Sequence, residues 1–229
     1  MIKGDYLTGV FIRQIKQFDK MFSGTVFPPF SHPEAQAEKV AQDYWDQKMS
    51  EPCGPDGPDE DPADIADDAQ QKSLEFYEAM TAMHNTVLNL FAAGVFHLFE
   101  QQVGTLLENW TGNRPKFPFD ELGKLSVKDA AGTAVDMKAA PMWSKLDELR
   151  LVANVVKHAE GDSANKLRAV NDAYFKLPEV RGTDLEKYFG ERMLGEPLTG
   201  EGIYVTKGDY DAFVAAVIDF WNWLAGVVG

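Results

Sequence analysis

The sequence predicts an all-α protein, a helical bundle with a long central helix pair and a short irregular or β-like segment before the C-terminal helix. Three observations predict it. Apolar residues recur at steps of mostly three, four and seven through a proline-free run from Ala63 to Trp110, the spacing of an amphipathic helix. Serine or threonine followed three residues later by an acidic residue, a helix-start signature, precedes several apolar-periodic stretches. No alternation of strand-like and helix-like segments and no internal repeat is present. The 229 residues, 45% hydrophobic and 12% aromatic, suffice for one substantial core.

Residues 1–50 form an N-terminal helical segment. Its first stretch, MIKGDYLTGVFIRQIKQFDK, lacks the uninterrupted apolar core and small-residue cleavage site of a signal peptide. FSGTVFPPF is expected to be extended or turning, because Pro28 and Pro29 lack backbone donors. Ser31-His32-Pro33-Glu34 fits a capping box and opens a helix to about Met49. Residues 51–62, rich in proline, glycine and aspartate, read as a solvated acidic loop; no EF-hand spacing marks it for calcium. The remainder, 63–229, reads as a helical bundle forming one compact unit with the N-terminal segment.

The long helix from Ala63 carries a stripe through Tyr77, Met80, Val87, Phe91, Val95, Leu98 and Leu106, with a kink expected at Gly94. Ala92, Ala93 and Gly94 would let a neighbouring helix approach closely. TGNRPKFPF ends it, and 120–140 read as irregular or short elements. Pro141 suits the first turn of the next helix, Met142 to about Ala159, closed by Gly161 and with its core face at Leu146, Leu149, Val152, Val156 and Ala159. Asp162 or Ser163 can cap a helix near 164–174, and Thr183 with Glu186 repeats the capping spacing for a helix at 184–193. A short extended segment is expected at Ile203–Val205. Thr206 and Asp209 then stand at the cap and third position of an aromatic C-terminal helix.

The formal charge of −14 is concentrated: 51–70 holds eight acidic residues and no basic one, so taking those eight charges away leaves −6 elsewhere. A broad phosphate-tracking groove needs clustered lysine and arginine and is not expected, whereas a small site for one or two phosphates fits. The apolar windows around 87–99 and 212–228 are broken by polar residues and read as falling short of a membrane span. The single cysteine, Cys53, excludes an intrachain disulfide and suits a reducing compartment. A cytoplasmic bacterial, archaeal or phage protein without membrane attachment is the expectation.

No metal site or cofactor is expected. His32, His84, His97 and His158 show no Glu-x-x-His or His-Glu-x-x-His spacing, and no phosphate-cradling Walker loop or serine-hydrolase elbow is present. His97 and Glu100 share a helical face at i and i+3 and could support a site on a facing helix. The ordered chemistry lies in DELRLVANVVKHAEG, where Arg150, Asn154 and His158 recur at four-residue intervals. Each step rotates by only about 40°, so the three form one slanted ridge beside the apolar face. From spacing alone the ridge is either a hydrogen-bonded bundle edge or a site.

The residues ELRLVANVVKHAEG resemble the last-but-one helix of the HEPN superfamily, compact helical bundles that include many metal-independent ribonucleases of toxin–antitoxin and anti-phage systems. Asn154-Val155-Val156-Lys157-His158 fits the family's asparagine-to-histidine spacing, and GVFHLFEQQVGTLLENW resembles the helix packed against it. Directly before Asn154, where the family's arginine normally stands, is Ala153. Arg150 lies one turn earlier on nearly the same face, in reach of the same pocket.

The resemblance implies an endoribonuclease of a prokaryotic defence or toxin system. His158 would be general base or acid, Arg150 would stabilise phosphate charge, and Asn154 would orient the scissile group. Lys157, His97 and Glu100 would bind or support. It further implies a homodimer with facing motifs, acting on RNA or a nucleotide, and an antitoxin or defence partner protein. Two other readings stand beside it: a non-catalytic HEPN-like interaction or nucleotide-binding module, and a helical adaptor docking a partner through Trp221 and Trp223.

Overall fold

The protein is described from a computed structural model covering residues 4–51, 61–184 and 202–228. It is all-α. In chain order the described helices are α1 (Gly4–Met21), α2 (Pro33–Ser50), α3 (Pro62–Thr111), α4 (Pro118–Leu122), α5 (Trp143–His158), α6 (Asp162–Val170) and α7 (Lys207–Val228). A two-stranded antiparallel ribbon, β1 (Ser126–Lys128) and β2 (Ala134–Asp136), pairs Val127 with Val135.

The second half of α3 is the axis of the core. Leu88, Ala92, Val95, Phe99, Val103 and Leu106 are almost fully buried there, against Phe11 and Ile15 of α1, Leu146 and Val152 of α5, and Phe213, Val217 and Phe220 of α7. Each such large apolar side chain contributes about 1.5–3 kcal/mol when fully buried. One cluster runs from Leu7 to Leu224, so the N-terminal segment and the bundle share a core. The expected close approach occurs: a Cβ on Gly94 would lie 2.9 Å from the Phe18 ring of α1.

Several local expectations are corrected. α3 has the expected extent, Pro62–Thr111, but not the expected buried face. Its buried set includes Leu88, Phe96 and Phe99, outside the expected stripe, because α1, α5 and α7 pack on different sides of it. Phe22–Val26 is a π turn and Pro28–Phe30 a 3-10 turn, so FSGTVFPPF is helical. Prolines are tolerated there because a first turn needs no donor. Ser31 does not cap α2: His32 occupies the cap position without a side-chain bond, and the Ser31 hydroxyl donates to the Pro28 carbonyl at 2.8 Å.

The strand pair at 126–136 falls in the stretch expected to hold irregular or short elements, and Ile203–Val205, expected to be extended, is non-helical without pairing as a strand. That segment is held by the Tyr204 amide donating to the Tyr174 carbonyl at 2.8 Å and by Asn89, which donates to the Ile203 carbonyl at 2.7 Å and accepts from the Val205 amide at 3.1 Å. Pro141 precedes α5 by two residues. α6 begins at Asp162 behind Gly161, and a 3-10 turn at Asp172–Phe175 follows it. The Thr206–Asp209 box forms as expected, with the Asp209 carboxylate accepting from both the Thr206 amide (2.9 Å) and hydroxyl (2.7 Å). The helix expected at 184–193 and most of the acidic loop, with Cys53, lie outside the described residues.

α7 does not fall short of a membrane span by length and apolarity: its 22 residues include a window of mean hydropathy 1.4. Its side chains nevertheless build the core. Trp221 is fully buried, donating through Nε1 to Gln102 Oε1 at 2.8 Å, and Trp223 is partly buried beside Phe220. Such burial weakens a docking role for this pair.

Candidate functional site

The ridge on α5 exists as a line of side chains on the helix that packs against α3. Leu146, Leu149 and Val152 are buried to zero exposure, Leu151, Ala153 and Val155 nearly so, and Val156 is half-buried. The apolar face is therefore wider than the expected stripe, and the polar row occupies what remains. Ala153 is only 7% exposed. An arginine there would bury its guanidinium against the core, at a cost of several kcal/mol unless paired.

Arg150 is partly buried and already engaged. Its Nε and Nη2 donate to one Asp147 oxygen at 2.8 and 2.7 Å. Its guanidinium lies 6.0 Å from the centroid of the Phe119 ring, which stacks on Trp143 at 4.9 Å. Asn154 is half-buried, whereas Lys157 and His158 are exposed. Among the described residues, none of these three makes a side-chain hydrogen bond or ion pair.

His158 is the last residue of α5. The helix stops at Ala159, whose φ of 57° and ψ of −128° are left-handed and strained for a residue with a Cβ. The expected glycine stop at 161 comes two residues too late.

Across the seam, Glu100 of α3 is half-buried. Burial raises its pKa above the ordinary 4.5 and Asp120 of α4 adds to the rise, while His97, Lys157 and Arg150 pull against it. The packing thus brings Arg150, Lys157, His97 and Glu100 into one electrostatic neighbourhood, with Asn154 between the two cations on α5. His97 is exposed, with Nε2 2.9 Å from the Gln101 amide nitrogen. His158 lies at the outer end of the row. A half-buried carboxyl inclined to hold its proton, beside a lysine and an arginine, can hold and release a proton or orient a donor.

Sequence reasoning missed three members of this neighbourhood. Asp147 was visible at i−3 from Arg150, a spacing at which ion pairs form on a helix. Asp120 and Phe119 carry no such local signal, because α4 reaches the seam only through the fold. Among the described residues, no group of three His, Cys, Asp or Glu side chains is placed to hold a metal ion. Compared with protein-family models, with curated proteins and with solved structures, the chain matches none.

Proposed function

We propose that the protein is a HEPN-like helical bundle that binds single-stranded RNA through a phosphate group at the α5 row. One observation carries this: Asn154, Lys157 and His158 make no side-chain hydrogen bond or ion pair among the described residues, while Arg150 stands one to two turns before them on the same helix. Asn154 and His158 share the ridge and Lys157 flanks it, so an amide, an imidazole and an ammonium offer donors to a phosphate oxygen. Homodimerisation, which would set two rows face to face, belongs to the same reading.

Metal-independent cleavage is the second reading, favoured by the free His158 imidazole. In that chemistry the 2′-oxygen attacks its own phosphorus, a base takes the 2′-hydroxyl proton, and the departing 5′-oxygen gains a proton. The products are a 2′,3′-cyclic phosphate and a 5′-hydroxyl. His158 and Glu100 are the candidates for the two proton positions.

Labelled mixed-sequence RNA titrated in EDTA tests both. Binding should weaken as salt rises, and Lys157→Ala with Arg150→Ala should weaken it at least about tenfold. RNA that binds no better than to the double variant, at low salt, sinks the proposal. Cyclic-phosphate ends from wild type and none from folded His158→Ala would make the protein a ribonuclease.

A further inference from the structure

The outer side of α3 carries a seam that stays open among the described residues. Ala79, Met83, Thr86, Leu90, Ala93 and His97 follow one another at steps of four, three, four, three and four. That average of about 3.5 keeps them in one line, the repeat by which one helix packs along another. Leu90 lies about 200° round the helix from the buried Leu88 and Ala92, so the line points away from the core. Met83 and Leu90 are 49% and 57% exposed, Ala79, Thr86 and His97 are exposed, and Ala93 is half-buried. From Ala79 to Phe96 the sequence holds no Asp, Glu, Lys or Arg.

Large and small side chains alternate along the seam, with Met83, Leu90 and His97 at one repeat position and Ala79, Thr86 and Ala93 at the other. A parallel pair of such helices sets each position opposite itself, methionine on methionine and alanine on alanine, crowding some layers and leaving gaps in others. An antiparallel pair sets one position opposite the other, so a large side chain meets a small one in every layer. The seam is thus complementary to itself about a two-fold axis. It is centred on Leu88, within about two residues of the midpoint of Pro62–Thr111, so an antiparallel pair overlaps along nearly the whole rod. Roughly 70 Å of overlap, about 10 Å wide, covers on the order of 700 Å² a side, near the roughly 800 Å² of a standard interface.

Charge sets the same direction. Asp61, Asp64, Asp67, Asp68, Glu75 and Glu78 lie at the N-terminal arm of α3, with Lys72 the one basic residue among them. Parallel copies would hold two acidic arms side by side, whereas antiparallel copies lay each arm along the other copy beyond His97. α1 runs beside that stretch, where Gln102 donates to the Phe11 carbonyl at 3.2 Å. Its Arg13, Lys16 and Lys20, at i, i+3 and i+7, form an exposed basic line with no ion pair among the described residues. They give the incoming arm its counter-charge.

We infer that two copies of this chain associate through the outer face of α3, antiparallel about a two-fold axis near Leu88. The pairing does not rest on the RNA reading of the α5 row.

Sedimentation equilibrium of the full chain tests it. Wild type should run at the mass of two chains at about 10 μM. Met83→Glu/Leu90→Glu, which sets two carboxylates of each copy in the seam, should run as single chains, its association weakened at least about a hundredfold. Its helical circular dichroism should be unchanged, because both side chains are exposed in the single chain. Orientation is read from a nitroxide at Ala66→Cys in a Cys53→Ser background: antiparallel copies hold the two labels more than about 50 Å apart, parallel copies within about 25 Å. A wild type that stays single at about 100 μM, a dimer that the folded double variant keeps, or labels held close together would each overturn the assignment.

Discussion

Glu148, next to the Asp147 that holds Arg150, is 8% exposed and still ionised. It accepts from Tyr174 Oη at 2.6 Å, Lys145 Nζ at 2.8 Å and Asn171 Nδ2 at 3.3 Å. Burial works against its charge, but these donors, with the lysine's field, outweigh it and hold the carboxyl below 4.5. Burial and the same bond push the Tyr174 hydroxyl upward, so it stays a donor. A carboxyl depressed in the folded state adds stability above its unfolded pKa and loses it as pH falls through the folded one. Glu148→Gln should therefore cost about 1–3 kcal/mol at neutral pH, and its unfolding midpoint should fall less than that of wild type on acidification below about pH 4.5. Parallel acid curves for the two proteins would refute this. Little of this was legible: Lys145 stands at i−3 on the same helix, but Tyr174 and Asn171 arrive through the turn after α6. The α5 row was legible because its spacing is local.

Helix starts show how far local chemistry reaches. Thr206–Asp209 and Ser31–Glu34 are the same pattern on paper, yet only the first forms. Thr206 caps in both directions, its hydroxyl also accepting from the Asp209 amide at 3.1 Å. Ser31 is drawn back to the Pro28 carbonyl by the 3-10 turn before it, leaving Pro33 to start α2 without a side-chain cap. Thr206→Ala should lower stability by about 1 kcal/mol, and Ser31→Ala should stay within about 0.5 kcal/mol. Denaturant midpoints read the contrast, and equal losses would contradict it. The stop of α5 at Ala159 was illegible for a similar reason, since the chain turned where packing required and not where glycine was available.

The all-α architecture was readable from periodicity because it depends on repeated local spacing. Which face of α3 is buried was not, because that depends on how many neighbours surround it. Burial along α3 is also uneven: before Leu88 only Ile65 and Ala69 are buried, and α2 buries only Ala37. α2 and the start of α3 hold each other through contacts such as the Ser73 hydroxyl on the Ala37 carbonyl at 2.9 Å and Lys72 over the Tyr44 ring at 4.9 Å. Native-state hydrogen exchange should therefore open α2 and the first turns of α3 at lower free energy than residues 88–107. Uniform protection along the whole of α3 would refute it. The same helix has a mechanical consequence. Fifty residues make a rod of roughly 75 Å, and the part from Pro62 to the Phe18 contact at Gly94 is a lever arm of roughly 48 Å. Tilting that arm by about 5° about the contact carries its far end about 4 Å. A load on the α2 end is thus felt as torque on the core helices, and a small rearrangement at the core is read as a large displacement at the tip.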